Sequence, residues 1–186
     1  GVFGMIAPFN FPLMVPFWFF PYALATGNTY VVKPSEQVPL SMNRVAEFVD
    51  EAGFPPGVFN MVCGSGPVVG NVLSSHSDVD MVSFTGSTAV GKHIMARAAQ
   101  TVKKVFLELG GKSANIILDD ADLGSSLLTC LAVCFHAGQG CAIHTRLLIP
   151  RSRQAEVEAL LPTYFGFIQY GDPTSESQIM GSLVNA

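Results

Sequence analysis

The stretch VDMVSFTGSTAVG at residues 79–91 decides the fold class. Its apolar run Val79–Phe84 predicts a β-strand, Gly86 predicts a tight turn, and Ser87 or Thr88 can cap a helix that follows. The N–H groups and the positive dipole end of such a helix suit a phosphate group. Strand, glycine turn and helix therefore predict an α/β unit with an anion-binding turn, although any strand-to-helix turn could carry the same glycines.

The same alternation extends along the chain. Strand-like apolar runs fall at residues 2–7, 29–33, 58–62, 81–84, 104–108, 115–118 and 147–149. Helix-like segments fall at residues 13–25, 40–52, 68–74, 87–99, 123–137 and 151–161. Alternating strands and helices predict βαβ units and a mostly parallel sheet covered on both faces. We therefore predict an α/β fold, with a domain boundary near Gly110-Gly111 where the pattern restarts.

Two helical segments carry apolar side chains whose positions can be predicted. The segment 40–52 is amphipathic and places Val45, Phe48 and Val49 on one side, which we expect to face the core. The segment 13–25 carries four large aromatic side chains that either pack in the core or line a substrate tunnel, with packing favoured for most of them. These are Phe17, Trp18, Phe20 and Tyr22.

Polar or small residues stand where several predicted strands end. Asn10, Lys33, Gly66, Ser87 and Glu108 each fall at or just after the end of a predicted strand. In an open parallel sheet, ligands bind beyond the carboxyl ends of the strands. The common location predicts a single binding site at that edge of the sheet.

Three segments offer the groups needed for acyl chemistry. Glu108 opens the segment ELGGK, and Cys141 closes the segment GQGC some thirty residues later. A thiol nucleophile needs a base to form the thiolate, and a thioester needs a base that activates water. Asn10 lies between two prolines in PFNFP, so its amide can be held rigidly as a donor to a developing oxyanion. Each residue taken alone would more simply be structural.

Composition excludes several other classes of protein. The 186 residues are 49% apolar and 13% charged, with a net charge of −4, and the basic residues form no stripe that could bind nucleic acid. The longest apolar stretch, Phe11 to Ala25, holds three prolines and is too short to span a membrane. The four cysteines form no pattern of a small secreted disulfide framework, so we expect a reducing compartment.

Several of these segments occur in an order that resembles the aldehyde dehydrogenase superfamily. They are PFNFP, KPSE at 33–36, GFPPGVFN at 53–60, FTGS at 84–87, ELGGK and GQGC, and they span Gly1 to about Arg146. The resemblance implies a Rossmann-like, open parallel-sheet NAD-binding domain at residues 1–110 and the first part of an α/β catalytic domain at 111–186. Because members of that superfamily are longer, we expect a central piece of a longer polypeptide, inert by itself.

The resemblance also implies catalytic roles. The Cys141 thiolate would attack the aldehyde carbonyl, and Asn10 with the Cys141 backbone N–H would hold the oxyanion of the thiohemiacetal. Glu108 would activate the water that hydrolyses the thioester. The alternative is an acylating enzyme in which coenzyme A takes the acyl group, but a glutamate at position 108 supplies the base for hydrolysis.

The cofactor implied by the resemblance is NAD rather than NADP. Lys33 and Glu36 would bind the adenosine ribose, and a carboxylate there would repel a 2′-phosphate. Phe9 stands where many superfamily members carry tryptophan, so an indole contact to the phosphate is excluded. Leu109 would pack under the nicotinamide. The full set of implied cofactor residues is Ile6, Ala7, Pro8, Phe9, Lys33, Ser35, Glu36, Gly66, Phe84, Thr85, Gly86, Ser87 and Leu109.

Partners and location follow from the same resemblance. We expect a small-molecule aldehyde substrate, no nucleic acid or membrane partner, and a homo-oligomer of the full-length protein. A cytoplasmic location is favoured, and the mitochondrial matrix is the second choice.

An alternative from another class of protein is a metal-binding or structural module built on Cys134, His136, Cys141 and His144. Their spacing matches no common structural zinc site, so no metal is expected.

Overall fold

The computed structural model describes residues 1–185 and divides the chain into two compact units, Gly1–Leu109 and Gly110–Ala186. Each unit has its own apolar core. Within residues 1–185, no helix combines the length and the apolar character required to cross a bilayer.

The first unit is built on a five-stranded sheet in which every neighbouring pair of strands is parallel. The strand order is β3-β2-β1-β4-β5, so the chain moves outward from β1 in one direction and then crosses back to continue on the other side. The predicted α/β fold with a parallel sheet is confirmed. The strands are β1 Val2–Ile6, β2 Thr29–Lys33, β3 Phe59–Met61, β4 Met81–Gly86 and β5 Lys104–Leu109.

Helices lie between the strands of this unit. They are α1 Met14–Phe17, α2 Phe20–Ala25, α3 Leu40–Glu51, α4 Asn71–Ser75 and α5 Thr88–Ala98. A π-helical turn, Gly66–Gly70, runs into α4, and a 3₁₀ turn, Ala99–Thr101, follows α5. One apolar cluster holds Met5 and Val32 with residues of α1, α2 and α3, and a second holds Val82 and Ile94 with residues of α4 and α5. Both faces of the sheet are therefore covered.

The single helix predicted at residues 13–25 is wrong, because α1 ends at Phe17 and α2 begins at Phe20. Pro21 explains the break, since it has no N–H to donate to the carbonyl four residues earlier and its ring would collide with that carbonyl. Phe20 packs in the core with its ring 5.5 Å from that of Tyr30. The other three aromatic side chains of this segment, Phe17, Trp18 and Tyr22, are exposed.

Helix α3 buries a different set of side chains from the one predicted. Met42 and Val45 are buried, and Val49 packs against the same core. Phe48 is 52% exposed, so the prediction for this residue is wrong. The Arg44 guanidinium lies over the Phe48 ring at 4.3 Å, and this cation–π contact suits an aromatic ring at the surface.

The second unit contains two parallel strands, β6 Ser113–Ile116 and β7 His144–Leu148. Its helical segments are α6 Leu123–Ser126, a 3₁₀ segment Leu127–Gly138, a 3₁₀ turn Arg151–Arg153 and α7 Gln154–Phe165. The buried core residues are Ile117, Leu123, Leu127, Cys130 and Val157.

The continuous helix predicted at residues 123–137 is wrong. After α6 the chain winds more tightly, and the buried residues Leu127 and Cys130 are three positions apart, as the threefold 3₁₀ turn requires. The segment is interrupted near its end, where Phe135 is extended and His136 and Ala137 adopt left-handed conformations. The helical winding therefore stops before the glycine-flanked turn that precedes β7.

Candidate active site

The carboxyl ends of β1 and β4 define the candidate site of the first unit. These two strands are neighbours, but the chain leaves them in opposite directions across the sheet, which makes a crevice beyond their ends. Ile6 pairs with Lys33 on one side and with Phe84 on the other, and Thr85 pairs with Glu108. The structure thus brings the ends of four strands that carry predicted site residues to one edge.

The segment after β1 crosses this edge in a fixed position. Ile6 and Ala7 are each 6% exposed, and Pro8 is also buried. The Ala7 N–H donates to the Lys33 carbonyl at 2.9 Å, which extends the pairing beyond the strand. Phe9 and Asn10, the next two residues, are half-buried. The prolyl peptide and this hydrogen bond hold the backbone that leads to Asn10.

Lys33 and Glu36 form an ion pair at the end of β2. The Lys33 side chain is 2% exposed, and its Nζ lies 3.1 Å from a carboxylate oxygen of Glu36, which is 53% exposed. The ammonium group also donates to the carbonyls of Pro34 at 2.8 Å and Gly64 at 3.0 Å. Three acceptors therefore satisfy the buried ammonium group and hold it in place.

Hydrogen bonds keep the Glu36 carboxyl ionised. The hydrogen bond from the Glu36 backbone N–H lowers the pKa of this carboxyl. The Lys33 ammonium and the Gly66 backbone N–H also lower it, whereas partial burial raises it. Ser35 stabilises the same loop, since its hydroxyl accepts a hydrogen bond from the Gln37 N–H at 3.3 Å. The loop thus presents a half-exposed negative charge at the edge of the sheet.

The turn after β4 begins helix α5. A Cβ atom at Gly86 would collide with the Phe84 ring, so a larger residue between the strand and the helix would force that ring to move. Ser87 is the N-cap in an extended conformation, and its hydroxyl accepts from the Val90 N–H at 3.3 Å. As at any helix start, the first N–H groups have no acceptor within the helix and can serve an anion.

A pocket of about 230 Å³ opens between the π-helical turn, α4 and α5. Ile6, Gly66 and Phe84, all predicted as cofactor residues, contribute to its lining. The remaining lining residues are Pro67, Gly70, Asn71, Val90, His93 and Ile94. None of these six residues was among the predicted cofactor residues. The three- and four-residue spacing of Val90, His93 and Ile94 along α5 was the available signal.

Glu108 and Leu109 end β5 and differ in their surroundings. Glu108 is half-buried and stands beside Thr85, whose hydroxyl is buried and without a hydrogen-bond partner among residues 1–185. Leu109 packs against α5 at Gly91, where an added Cβ would lie 2.8 Å from a Leu109 methyl carbon. Glycine at position 91 therefore makes room for Leu109.

In the second unit, Cys141 is half-buried and follows a strained turn. His136, Ala137 and Gly138 have φ values of 52°, 53° and 76°. A left-handed conformation costs free energy in residues other than glycine, and such strain often occurs at functional sites. The turn is closed by two hydrogen bonds from Gln139 to the His136 carbonyl, at 3.1 Å from the backbone and 3.0 Å from the side chain.

Cys130 is the buried cysteine of this unit. Burial raises the pKa of the Cys130 thiol, which is 7% exposed, so it stays protonated and poorly nucleophilic. Within residues 1–185, no three histidine, cysteine, aspartate or glutamate side chains are grouped so that they could hold a metal ion.

Known proteins match the whole chain. Residues 1–186 match the aldehyde dehydrogenase family. The 3-succinoylsemialdehyde-pyridine dehydrogenase of a Pseudomonas species is 47% identical, across 100% of this chain and 39% of the relative. Aldehyde dehydrogenase 1A1 of Equus caballus is 52% identical, across 82% of this chain and 31% of the relative.

Solved structures agree with this match. Aldehyde dehydrogenase C from Pseudomonas syringae, a mutant crystallised with NAD+ and octanal, is 45% identical and has a TM-score of 0.97. The similarity covers 100% of this chain and 39% of that one. The chain thus spans about two fifths or less of the length of these relatives.

Proposed function

The chain belongs to the aldehyde dehydrogenase family, and from this premise we propose that the protein oxidises an aldehyde to a carboxylic acid with NAD as cofactor. The observation that carries the proposal is the match of the complete chain to a relative solved with NAD+ and octanal. In the proposed organisation, residues 1–110 are the NAD-binding domain and residues 111–186 begin the catalytic domain. A homo-oligomeric, cytoplasmic protein stays a prediction.

The first unit fits the chemical parts of NAD. The pocket between α4 and α5 is lined mainly by aliphatic, proline and aromatic side chains, which suits the flat adenine ring. The start of α5, capped by Ser87, suits the pyrophosphate. Glu36 supplies an acceptor for the ribose hydroxyls, and the Lys33 ammonium group, which is saturated by its three acceptors, holds the Glu36 carboxylate in place. We assign the remaining predicted cofactor residues to the same edge of the sheet.

The charge of Glu36 favours NAD over NADP. The carboxyl is kept ionised by its hydrogen bonds, and half of it is open to a ligand. A 2′-phosphate beside it would bring like charges together, whereas a 2′-hydroxyl can donate to it. This argument supports NAD as the cofactor.

The proposed reaction begins at Cys141. Its thiolate attacks the aldehyde carbonyl carbon, and a carbon–sulfur bond forms while the carbonyl electrons move to oxygen. The side-chain amide of Asn10 and the Cys141 backbone N–H donate to this oxyanion. When bound, NAD supplies the acceptor for the hydride that is lost as the thioester forms.

Glu108 has its role in the second half-reaction. Its carboxylate takes a proton from water as the water oxygen attacks the thioester carbon. The carbon–sulfur bond then breaks, the acid leaves and the Cys141 thiolate is restored. Because Glu108 is a half-buried carboxylate at a strand end rather than part of a closed core, it can reach water. Its presence supports hydrolysis over transfer to coenzyme A.

The substitution Cys141→Ser in the full-length protein tests this proposal. A serine hydroxyl has far too high a pKa to replace the thiolate, so aldehyde oxidation should be lost while NAD affinity changes by no more than about threefold. Steady-state NADH formation and a direct NAD titration measure the two effects. Cys134→Ser is the matched control and should stay active. Activity above about a tenth of wild type in Cys141→Ser would overturn the assignment.

A further inference from the structure

Three residues at the pocket between α4 and α5 are joined by hydrogen bonds. The Asn71 side-chain amide donates to the Pro67 carbonyl at 2.7 Å. The Asn71 amide oxygen lies 2.9 Å from His93 Nε2. All three residues line the pocket. The Pro67–Asn71–His93 relay, as we call it, was not suggested by the sequence, because Asn71 and His93 are 22 positions apart.

The relay determines which atoms of His93 can accept a hydrogen bond. A backbone carbonyl only accepts, so the Asn71 atom facing Pro67 must be the amide nitrogen, and the atom facing His93 must be the oxygen. That oxygen also only accepts, so His93 Nε2 must carry the hydrogen. In the neutral imidazole, Nδ1 is then an acceptor. No group among residues 1–185 donates to it.

The relay is held in place by a second contact between the same helices. The Arg97 guanidinium, on α5, donates to the Asn71 carbonyl at 3.4 Å and to the Ser75 hydroxyl at 3.0 Å. Helix α4 is thereby tied to α5 one turn beyond His93. The residue that accepts from His93 Nε2 is thereby joined to α5 by two side chains, His93 and Arg97.

We propose that His93 Nδ1 selects the base of the dinucleotide by accepting a hydrogen bond from the 6-amino group of adenine. The inference rests on the proposed use of NAD and adds base selectivity to it. Hypoxanthine carries a carbonyl oxygen in place of the amino group, so two acceptors would face each other. His93 is exposed at the surface, where water competes, so the discrimination is modest.

Direct binding of two dinucleotides to the full-length protein tests the proposal. NAD+ and nicotinamide hypoxanthine dinucleotide are titrated by calorimetry at about pH 7.5. We expect NAD+ to bind about 3- to 10-fold more tightly than the hypoxanthine analogue. His93→Phe keeps a flat ring without nitrogen and should bring the ratio close to one. His93→Gln offers both a donor and an acceptor and should restore part of the preference.

Two further variants separate the relay from a general effect on the fold. Asn71→Leu should reduce the ratio, because the imidazole hydrogen is then no longer directed to Nε2. His76→Phe removes an exposed histidine outside the pocket and should leave the ratio unchanged. An equal affinity of wild type for both dinucleotides, or an unchanged ratio in His93→Phe, would overturn the inference while NAD binding stands. Failure of wild type to bind either dinucleotide would instead overturn the proposed function.

Discussion

At the scale of single residues, Glu108 is the group whose role can be tested most directly. The substitution Glu108→Gln keeps the size of the side chain beside Leu109 and Gly110 but removes its ability to accept a proton. We expect the first-turnover burst of NADH to persist while the steady-state rate falls by about 10²- to 10⁴-fold, the usual contribution of a general base. Stopped-flow absorbance separates the two phases.

Two results would contradict this role of Glu108. Loss of the burst would show that Glu108 is mainly needed to form the Cys141 thiolate. An unchanged steady state, or wild-type turnover that requires coenzyme A, would favour the acylating alternative. Thr85→Val is the parallel variant, since the buried Thr85 hydroxyl, which has no hydrogen-bond partner within residues 1–185, stands beside Glu108 in the sheet register.

The second prediction for a single residue concerns Glu36 and the choice between NAD and NADP. Glu36→Ala should weaken NAD binding by roughly 10- to 100-fold, since a hydrogen bond to a charged group contributes about 1.5–3 kcal/mol. It should also relax the discrimination against NADP, because the like charge is gone. Glu47→Ala is a matched control, since Arg44–Glu47 is likewise an ion pair three residues apart on the same unit. The ratio of kcat/KM for NAD and NADP measures the effect, and an unchanged ratio would place Glu36 away from the ribose.

At the scale of elements, the contact between α5 and β5 predicts the effect of one added methyl group. Gly91→Ala would improve helix propensity by about 1 kcal/mol, but its Cβ would lie 2.8 Å from Leu109. Overpacking commonly costs about 1–3 kcal/mol, so we expect a net loss of stability and a displaced Leu109. Urea unfolding of the full-length protein measures this loss.

The control for that substitution is Gly124→Ala in α6. There the nearest atom to an added Cβ is a carboxylate oxygen of Asp122 at 3.4 Å, which is an ordinary contact. This variant should be as stable as wild type or slightly more so. If Gly91→Ala behaves in the same way, Leu109 moves aside at no cost and the close packing of α5 on β5 is not required.

The helices and strands also show which parts of the fold can be predicted from sequence patterns. All five strands of the first unit were predictable from apolar runs ended by polar or small residues, and the central strands β1 and β4 are buried on both faces, where continuous apolar sequences are expected. The break before Pro21 follows from local chemistry that the apolar pattern of residues 13–25 concealed. The 3₁₀ winding after α6 and the left-handed His136 and Ala137 had no such signal, since neither residue type demands that conformation.

Only those residues of the candidate site that lie at the ends of strands could be predicted from the sequence. Lys33, Ser87 and Glu108 could be assigned to one edge because carboxyl ends of parallel strands meet there. The spacing of Val90, His93 and Ile94 places these residues on one face of α5, but that this face meets α4 at a pocket could not be predicted, since it depends on how α4 packs against α5. Asn71 and His93 meet only through that packing, and neither is adjacent to a recognisable motif. Contacts between distant elements are thus the part of the site that requires a structure.

At the scale of the whole molecule, amide hydrogen exchange can test the position of the cofactor site. NAD that binds only the native protein suppresses local opening where it is held. We expect NAD to slow exchange at the carboxyl edge of the first unit, in peptides covering residues 6–10, 33–36, 64–71 and 84–91. Peptides at the opposite edge, such as those covering residues 78–81 and 102–104, should change little.

The first turn of α5 is the most sensitive reporter in this experiment. Its N–H groups at Thr88 and Ala89 have no acceptor within the helix, so without a ligand they should exchange rapidly. A bound pyrophosphate would accept from such groups and should slow their exchange more than that of Ile94, which is already inside the helix. Slower exchange confined to the amino ends of the strands, or equally slower exchange at all positions, would contradict NAD binding in the crevice beyond the carboxyl ends of β1 and β4.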